Sequence, residues 1–268
     1  MTKENIDYLV EKLADIIIHS KKIVVFTGAG ISTESGIPDF RSPGGIWTKY
    51  DPDIFTYQRF LNDPEARKMH WKLLGGDEFM PSDVRPNPAH YAIADLDEMG
   101  KLDCVITQNV DGLHEWALEE KAGISSEKVI HLHGTMQRAK CLGCQKLFTM
   151  DEIRKWIAAG TEVPDCPGCG GLLKPDAVFF GEAMPVWETS EAQRRSQGCD
   201  LCIVIGSSLV VYPAASMPWY AVQSGAKLAI INRDSTELDR SADVCIHEAA
   251  GETMSRVIGV VKEKQNKA

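Results

Sequence analysis

Hydrophobic positions along the chain follow two periods. Over residues 5–20, Ile6, Leu9, Val10, Leu13, Ile16 and Ile17 recur at helical spacing and predict an amphipathic helix. It leads into Ile23-Val24-Val25-Phe26, a short continuous run rich in branched residues, the pattern of a strand covered on both faces. Runs of the same kind recur at residues 104–107, 129–130, 177–180, 201–205, 228–231 and 244–246, with helical stretches between most of them. Asn87-Pro88 reads as a cap and first turn, and Ala92, Leu96 and Met99 share one face of the helix they open. Strands alternating with helices imply parallel pairing through right-handed crossovers, an α/β doubly wound sheet. Over residues 43–86 the pattern gives out. Trp47, Tyr50, Phe55, Tyr57, Phe60, Trp71 and Phe79 are scattered among Pro, Gly and Asp, as in a helical and loop-rich insertion.

Ligands meet a sheet of this kind at the carboxyl ends of its strands. Those ends are polar here: Gly28 to Gly30, Gln108 to Asp111, Gly206-Ser207-Ser208 and Asn232. Recurrence on four strands argues for one shared site. The first of these stretches, TGAGISTESGIPDFRS from Thr27 to Ser42, begins as a dinucleotide turn, in which Gly28 and Gly30 bring N–H groups close to phosphate oxygens at a helix start. It departs from the dehydrogenase form at Thr33, where a third glycine belongs, and no acidic residue follows about 20 residues on. Instead Gly36 and Pro38 break the helix early, and Asp39, Phe40 and Arg41 put an acid, an aromatic and a base on the loop beside it.

Composition narrows the setting. An apolar share of 44% with 25% charged residues in 268 suits a globular chain with a real core. A net charge of −9 argues against general nucleic-acid or anionic-membrane binding and suits a cationic polypeptide substrate. No apolar run approaches the roughly 18 residues of a spanning helix. The first 20 residues lack the pattern of a signal peptide, so a cytoplasmic location is expected. In that setting eight cysteines point to metal before disulfides. Cys141-x2-Cys144 and Cys166-x2-Cys169, 21 residues apart and flanked by glycines, match a tetrathiolate zinc site, structural because no position is left for water. Cys199 and Cys202 have no second pair and sit at a strand start away from the ligand edge, which reads as a buried pair.

His133 stands between an apolar strand and Gly134 at the ligand edge, where imidazole suits proton transfer near neutral pH. His131, two residues earlier, would share its face, and spacing alone does not choose between them. Asn109 and Asp111 fit a helix cap as well as a ligand site. Phe179 and Phe180, within DAVFFGE, fit plain core.

With GAGIS, GIPDFRS, TQNVDGLH, HLHG, the paired CxxC, FFGE, GSSLVVYPAA and IN in this order, the chain resembles the sirtuin family of NAD-dependent protein lysine deacylases, in its bacterial and archaeal form. The resemblance runs from about Val24 to Gly251 and implies a large Rossmann-like NAD-binding domain (1–42, 87–135 and 174–268). A small domain (43–86 and 136–173) would combine the helical insertion with a zinc ribbon. It implies that Gly28, Ala29, Gly30 and Arg41 bind the pyrophosphate side of NAD, that Gly206, Ser207, Ser208, Asn232 and Cys245 bind the adenosine side, and that Gln108 binds the nicotinamide ribose. Asn109, Val110 and Asp111 would line the nicotinamide pocket, Asn109 with a part in catalysis. Asp39 and Phe40 would close over the cofactor, and His133 would be the general base. Val178, Phe179, Phe180 and Gly181 would pair with the substrate backbone and wall the acyl-lysine tunnel. Zn²⁺ would sit on Cys141, Cys144, Cys166 and Cys169. Many family members carry Glu where this chain has His131. Members acting on acidic acyl groups carry a Tyr-x-x-Arg pair in the helical insertion, where this chain has Met69, His70 and Trp71, so apolar acyl groups are expected. ADP-ribosyl transfer to protein would use the same site. A non-catalytic zinc-ribbon module is disfavoured by the charge and by the polar strand ends.

Overall fold

The run Ile23–Thr27 forms strand β1 inside a six-stranded parallel sheet, with all five residues buried. The computed structural model describes residues 2–76, 81, 83–123 and 126–267, so Phe79 lies outside the described residues. Helix α1 (Lys3–His19) precedes β1, and a 3-10 turn over Ala29–Ser35 follows it. The helical insertion contains α2 (Ile46–Lys49), α3 (Tyr57–Asn62) and α4 (Pro64–Gly75). Next come α5 (Pro88–Glu98), β2 (Leu102–Thr107), α6 (Leu113–Ala122) and β3 (Val129–His131). As its sequence signals require, α5 starts where the Asn87 side chain accepts the Ala89 N–H at 2.9 Å. A second sheet is built from β4 (Gly134–Cys141), β5 (Leu147–Thr149) and β6 (Leu173–Ala177), with α7 (Met150–Ala158) against β4. The chain then returns to the large sheet through α8 (Val186–Gly198), β7 (Leu201–Ile205), α9 (Met217–Gln223), β8 (Lys227–Ile231), β9 (Val244–Ile246) and α10 (Ala250–Lys267).

The large sheet has the order β3-β2-β1-β7-β8-β9, every neighbouring pair parallel. The chain builds outward from β1 to β3 on one side and from β7 to β9 on the other. The order therefore reverses between β1 and β7, where a crevice opens at the carboxyl edge. Alternation along β1 serves two cores. Ile23 and Val25 pack with Leu13, Ile17, Ile93 and Val257, while Val24 and Phe26 pack with Ile106, Leu132, Val204 and Ile230. A third core joins the two insertions, with Phe55, Trp71 and Leu74 packed among Met136, Phe148, Ile153 and Leu173.

One strand expectation is corrected. No strand of the parallel series forms over residues 177–180. The strand there is β6, which ends at Ala177 and pairs antiparallel with β4 in the small sheet. Its sequence LKPDA hides it, because proline donates no ladder bond, a defect tolerated here because β6 is an edge strand. β4 and β5 also carried no clear apolar run. Among the described residues no helix is long and apolar enough to cross a membrane.

Candidate active site

The glycine turn after β1 is shaped by its neighbour across the crevice. Gly28 N–H donates to the Ile205 carbonyl at 3.2 Å, and Gly30 N–H to the Gly206 carbonyl at 2.9 Å. A Cβ on Gly28 or Gly30 would lie 2.8 Å from the Gly206 oxygen. Both glycines thus let the turns after β1 and β7 touch, and that contact fixes the floor of the crevice. The segment that follows is a seven-residue 3-10 turn rather than the α-helix of the dehydrogenase pattern, and it ends at Gly36 with φ of 90°.

Three hydrogen-bonded groups lock the strand ends together. The Thr27 and Thr107 hydroxyls are 2.8 Å apart, with His114 Nε2 2.9 Å from Thr27 Oγ1. Gln108 Nε2 donates to Ser207 Oγ at 2.8 Å, bridging the ends of β2 and β7. Ser32 Oγ donates to Asp111 Oδ2 at 2.7 Å and accepts from Asn109 Nδ2 at 3.2 Å. Asn109 and Asp111 are buried, and burial pushes the Asp111 carboxyl above its ordinary value, opposed by the Leu113 N–H and the Ser32 hydroxyl. Asp111 Oδ1 also accepts the Leu113 N–H at 3.0 Å at the start of α6, which is the helix-start role that the sequence offered for it. The Val110 carbonyl accepts the Met136 N–H at 2.9 Å, tying this loop to the small sheet. Ser32 thus joins Asn109 to Asp111, a contact that strand-end polarity alone does not reveal. Its only sequence signal was its place in the GAGIS stretch.

The two histidines separate. His131 ends β3, whereas His133 lies beyond the strand, so strand alternation does not carry from one to the other. His131 Nε2 pairs with Glu115 of α6. Burial lowers the pKa of His131, but the Glu115 carboxylate outweighs it and the result is a raised value. His133 Nδ1 is 3.2 Å from the Gln108 carbonyl, which can only accept, so Nδ1 carries the proton and Nε2 presents a lone pair. Burial lowers the pKa of His133, the Gln108 carbonyl partly opposing it, and the ring stays neutral. A cleft of about 1510 Å³ is lined by Asp111, Glu115, Trp116, His131 and Gln137.

The loop after the glycine turn is held by its own acid. Asp39 Oδ1 accepts the Arg41 and Ser42 N–H groups at 2.9 and 2.8 Å, and the Phe40 ring stacks 5.2 Å from Trp47 at a tilt. Phe179 is buried while Phe180 is 49% exposed. The Phe180 N–H and carbonyl bond to Phe55 and Tyr57 of the insertion at 3.0 and 2.9 Å, and the Val178 N–H bonds to the His133 carbonyl at 2.8 Å. Next to Phe179 sits His70, ringed by Phe55, Phe60 and Trp71 and held neutral, its pKa lowered to about 3 by burial and then by Lys174. At the far end of the edge Ser208 is half-buried, and the Asn232 N–H reaches the Ile246 carbonyl at 3.2 Å, beside half-buried Cys245. The structure thus brings Gly28, Gly30, Gln108, Asn109, Asp111, His133 and Ser207 into one hydrogen-bonded edge.

The four cysteines of the CxxC pairs also converge. Their sulfurs all lie within 4.8 Å of one another, with Cys141 to Cys169 at 3.5 Å and Cys144 to Cys166 at 3.7 Å. A tetrahedral zinc ion with bonds of about 2.3 Å to sulfur needs sulfur–sulfur edges of about 3.8 Å, so the donor set fits Zn²⁺. Cys199 and Cys202 are buried in a sheet core, with their thiols pushed up chiefly by desolvation.

The profile of the Sir2 family matches residues 28–213. The chain belongs to the Sir2 family. A NAD-dependent protein deacetylase of Thermodesulfovibrio yellowstonii is 43% identical over 256 residues, 96% of each chain. NAD-dependent protein deacylase 2 of Archaeoglobus fulgidus is 42% identical over 260 residues, 94% of this chain and 96% of that one. Among solved structures, a Sir2 enzyme matches with a TM-score of 0.84 and 42% identity, covering 96% of this chain and 99% of that one. A Sir2 protein in complex with a p53 peptide and NAD⁺ matches with a TM-score of 0.82 and 37% identity, covering 96% and 98%. The Sir2 fold accounts for the pairing of a Rossmann-like sheet with a small sheet and a tetracysteine cluster.

Proposed function

We propose that this Sir2 chain is a NAD-dependent protein lysine deacylase acting on acetyl and longer apolar acyl groups. The observation that carries the reading is His133. Its Nδ1 proton is held by the Gln108 carbonyl, which leaves Nε2 unprotonated, and Asn109 and Asp111, which follow Gln108, form a cluster with Ser32 at the same strand edge. NAD, when bound, supplies the ribose carbon that accepts the acyl group as nicotinamide leaves. The chain's own part is orientation, water exclusion and one proton transfer. Gly28, Ala29, Gly30 and Arg41 hold the pyrophosphate side. Gly206, Ser207, Ser208, Asn232 and Cys245 hold the adenosine side, and Gln108 the nicotinamide ribose. Asn109, Val110 and Asp111 line the nicotinamide pocket, and Asp39 and Phe40 close over it. His133 Nε2 takes the proton of a ribose hydroxyl, a task for which a neutral ring is the competent form.

The substrate strand meets Val178 to Gly181. The N–H of Val178 and both main-chain groups of Phe180 are already engaged, while the Val178 carbonyl and the Gly181 N–H have no backbone partner among the described residues and are the groups we assign to peptide pairing. Phe179 and the neutral, aromatic-ringed His70 support apolar over acidic acyl groups. We assign the NAD-binding unit to residues 1–42, 87–135 and 174–268 and the small unit to 43–86 and 136–173, joined by β4 and β6. Zn²⁺ on the four cysteines serves as a fastener, and the protein works in the cytoplasm. The test measures removal of acetyl, butyryl, myristoyl and succinyl groups from one peptide by the parent and by His133→Ala. Equal yields of nicotinamide and O-acetyl-ADP-ribose, lost in His133→Ala, are expected. Full activity in His133→Ala would refute the assignment of the base, and preferred removal of succinyl would refute the pocket reading.

A further inference from the structure

A second group of metal-ligating side chains lies away from the tetracysteine cluster and from His133, at the adenosine end of the strand edge, and it includes Cys245. Asp239, Cys245 and His247 place a carboxylate oxygen, a thiol sulfur and a ring nitrogen within 4.8 Å of one another, all three half-buried. Cys245 Sγ is 3.5 Å from His247 Nε2, and His247 Nε2 is 3.3 Å from Asp239 Oδ2. A tetrahedral zinc ion with bonds of about 2.3 Å to sulfur and about 2.0 Å to nitrogen and oxygen sets edges of about 3.5 and about 3.3 Å between the same atom types. The two distances match the edges of such a tetrahedron.

Two outer contacts aim the donors inward. His247 Nδ1 lies 2.9 Å from the Asn232 carbonyl, so Nδ1 holds the proton and Nε2 turns its lone pair to the cysteine and the aspartate. The Thr236 N–H and hydroxyl hold Asp239 Oδ1 at 3.0 and 2.7 Å, leaving Oδ2 for the cluster. Metal-binding histidines and carboxylates are oriented in this way by backbone carbonyls and hydrogen-bond donors.

We propose that Asp239, Cys245 and His247 form a second metal site, for a divalent transition ion of the zinc and cobalt class, which pins the β8–β9 connection to the edge of the sheet. Thiolate, imidazole and carboxylate together select ions of that class over Mg²⁺ or Ca²⁺. Binding forms the metal–sulfur bond as the Cys245 S–H proton leaves to solvent, and no electron is transferred. Three protein ligands leave the fourth position to water, so this ion exchanges more readily than one held by four thiolates. Asp239 belongs to the turn Asp239–Ser241, Cys245 to the three-residue edge strand β9, and His247 follows β9 directly. One ion therefore fastens a 3-10 turn to a short edge strand that otherwise pairs only with β8.

The test uses the zinc-loaded full chain, freed of loosely held metal and titrated with Co²⁺. The parent should take up one equivalent with the near-ultraviolet absorption of a cobalt–thiolate bond. Cys245→Ser should lose that absorption, and His247→Ala and Asp239→Asn should weaken binding by about tenfold or more. Excess Zn²⁺ should raise the unfolding midpoint of the parent and leave that of His247→Ala unmoved, a readout independent of activity. An absorption that persists in Cys245→Ser would assign the ion to the tetracysteine cluster and overturn the proposal. So would a parent that takes up no cobalt, or unchanged affinity in both His247→Ala and Asp239→Asn.

Discussion

His133 and His131 are two residues apart and meet opposite electrostatic fates. Burial depresses the first, while Glu115 raises the second. Since His133 must be neutral to accept a proton, the acid limb of kcat/KM should fall below the ordinary histidine value of 6.5. Its depression comes from burial, partly opposed by the Gln108 carbonyl, and His131 has no share in it, so His131→Gln should leave that limb in place, a comparison read from the two pH–rate profiles. Stability should respond instead. His131 has a folded pKa above its unfolded one, so the stability it contributes with Glu115 is fully present below 6.5 and is lost as pH rises through the raised value. His131→Gln should therefore cost about 1–3 kcal/mol at pH 6 and less at pH 9, measured by urea unfolding. Gly30→Ala tests another residue-scale constraint. Its Cβ would meet the Gly206 backbone oxygen at 2.8 Å, which cannot swing aside as a side chain could. A loss of about 1–3 kcal/mol together with weaker ADP-ribose binding is expected from thermal unfolding and calorimetry.

The elements differ in what holds them. β1 and β7 are buried on every residue and lie between two apolar cores, so their formation follows from burial alone. The small sheet has three strands, two of them edges, and the CxxC turns adjoin β4 and β6. Removing zinc with a chelator, or Cys166→Ser, should strip hydrogen-exchange protection from β4, β5 and β6 while β1, β2 and β7 keep theirs. Loss of protection across the large sheet at the same metal concentration would contradict this division. These elements also show why parts of the fold were hard to read. The strands of the parallel sheet announced themselves through apolar runs, but β4 (GTMQRAKC) and β6 (LKPDA) carry polar residues and a proline, and they become strands by pairing with one another under the zinc turns.

Across the whole molecule, three buried histidines make stability depend on acid. His70, His90 and His114 are each at most 2% exposed and have pKa values lowered to about 3, with burial the leading cause. Their folded values lie below the unfolded 6.5, so the unfolded chain gains protons first as pH falls. Stability is intact above 6.5 and is lost progressively toward 3, at up to about 1.4 kcal/mol per pH unit for each histidine. Urea midpoints at pH 7, 5.5 and 4 should decline steeply, and His90→Gln should flatten the decline by about a third. The sequence by itself determined the doubly wound class, the polar strand ends and the zinc ligands, because apolar period and cysteine spacing are local properties of the chain. Only the tertiary structure decided that Ser32 joins Asn109 to Asp111 and that Gly28 and Gly30 exist to admit Gly206. It alone parted His131 from His133 and brought Asp239, Cys245 and His247 together. Each of these is a contact between side chains or turns on separate elements, and its distance is set by how the layers pack rather than by spacing along the chain.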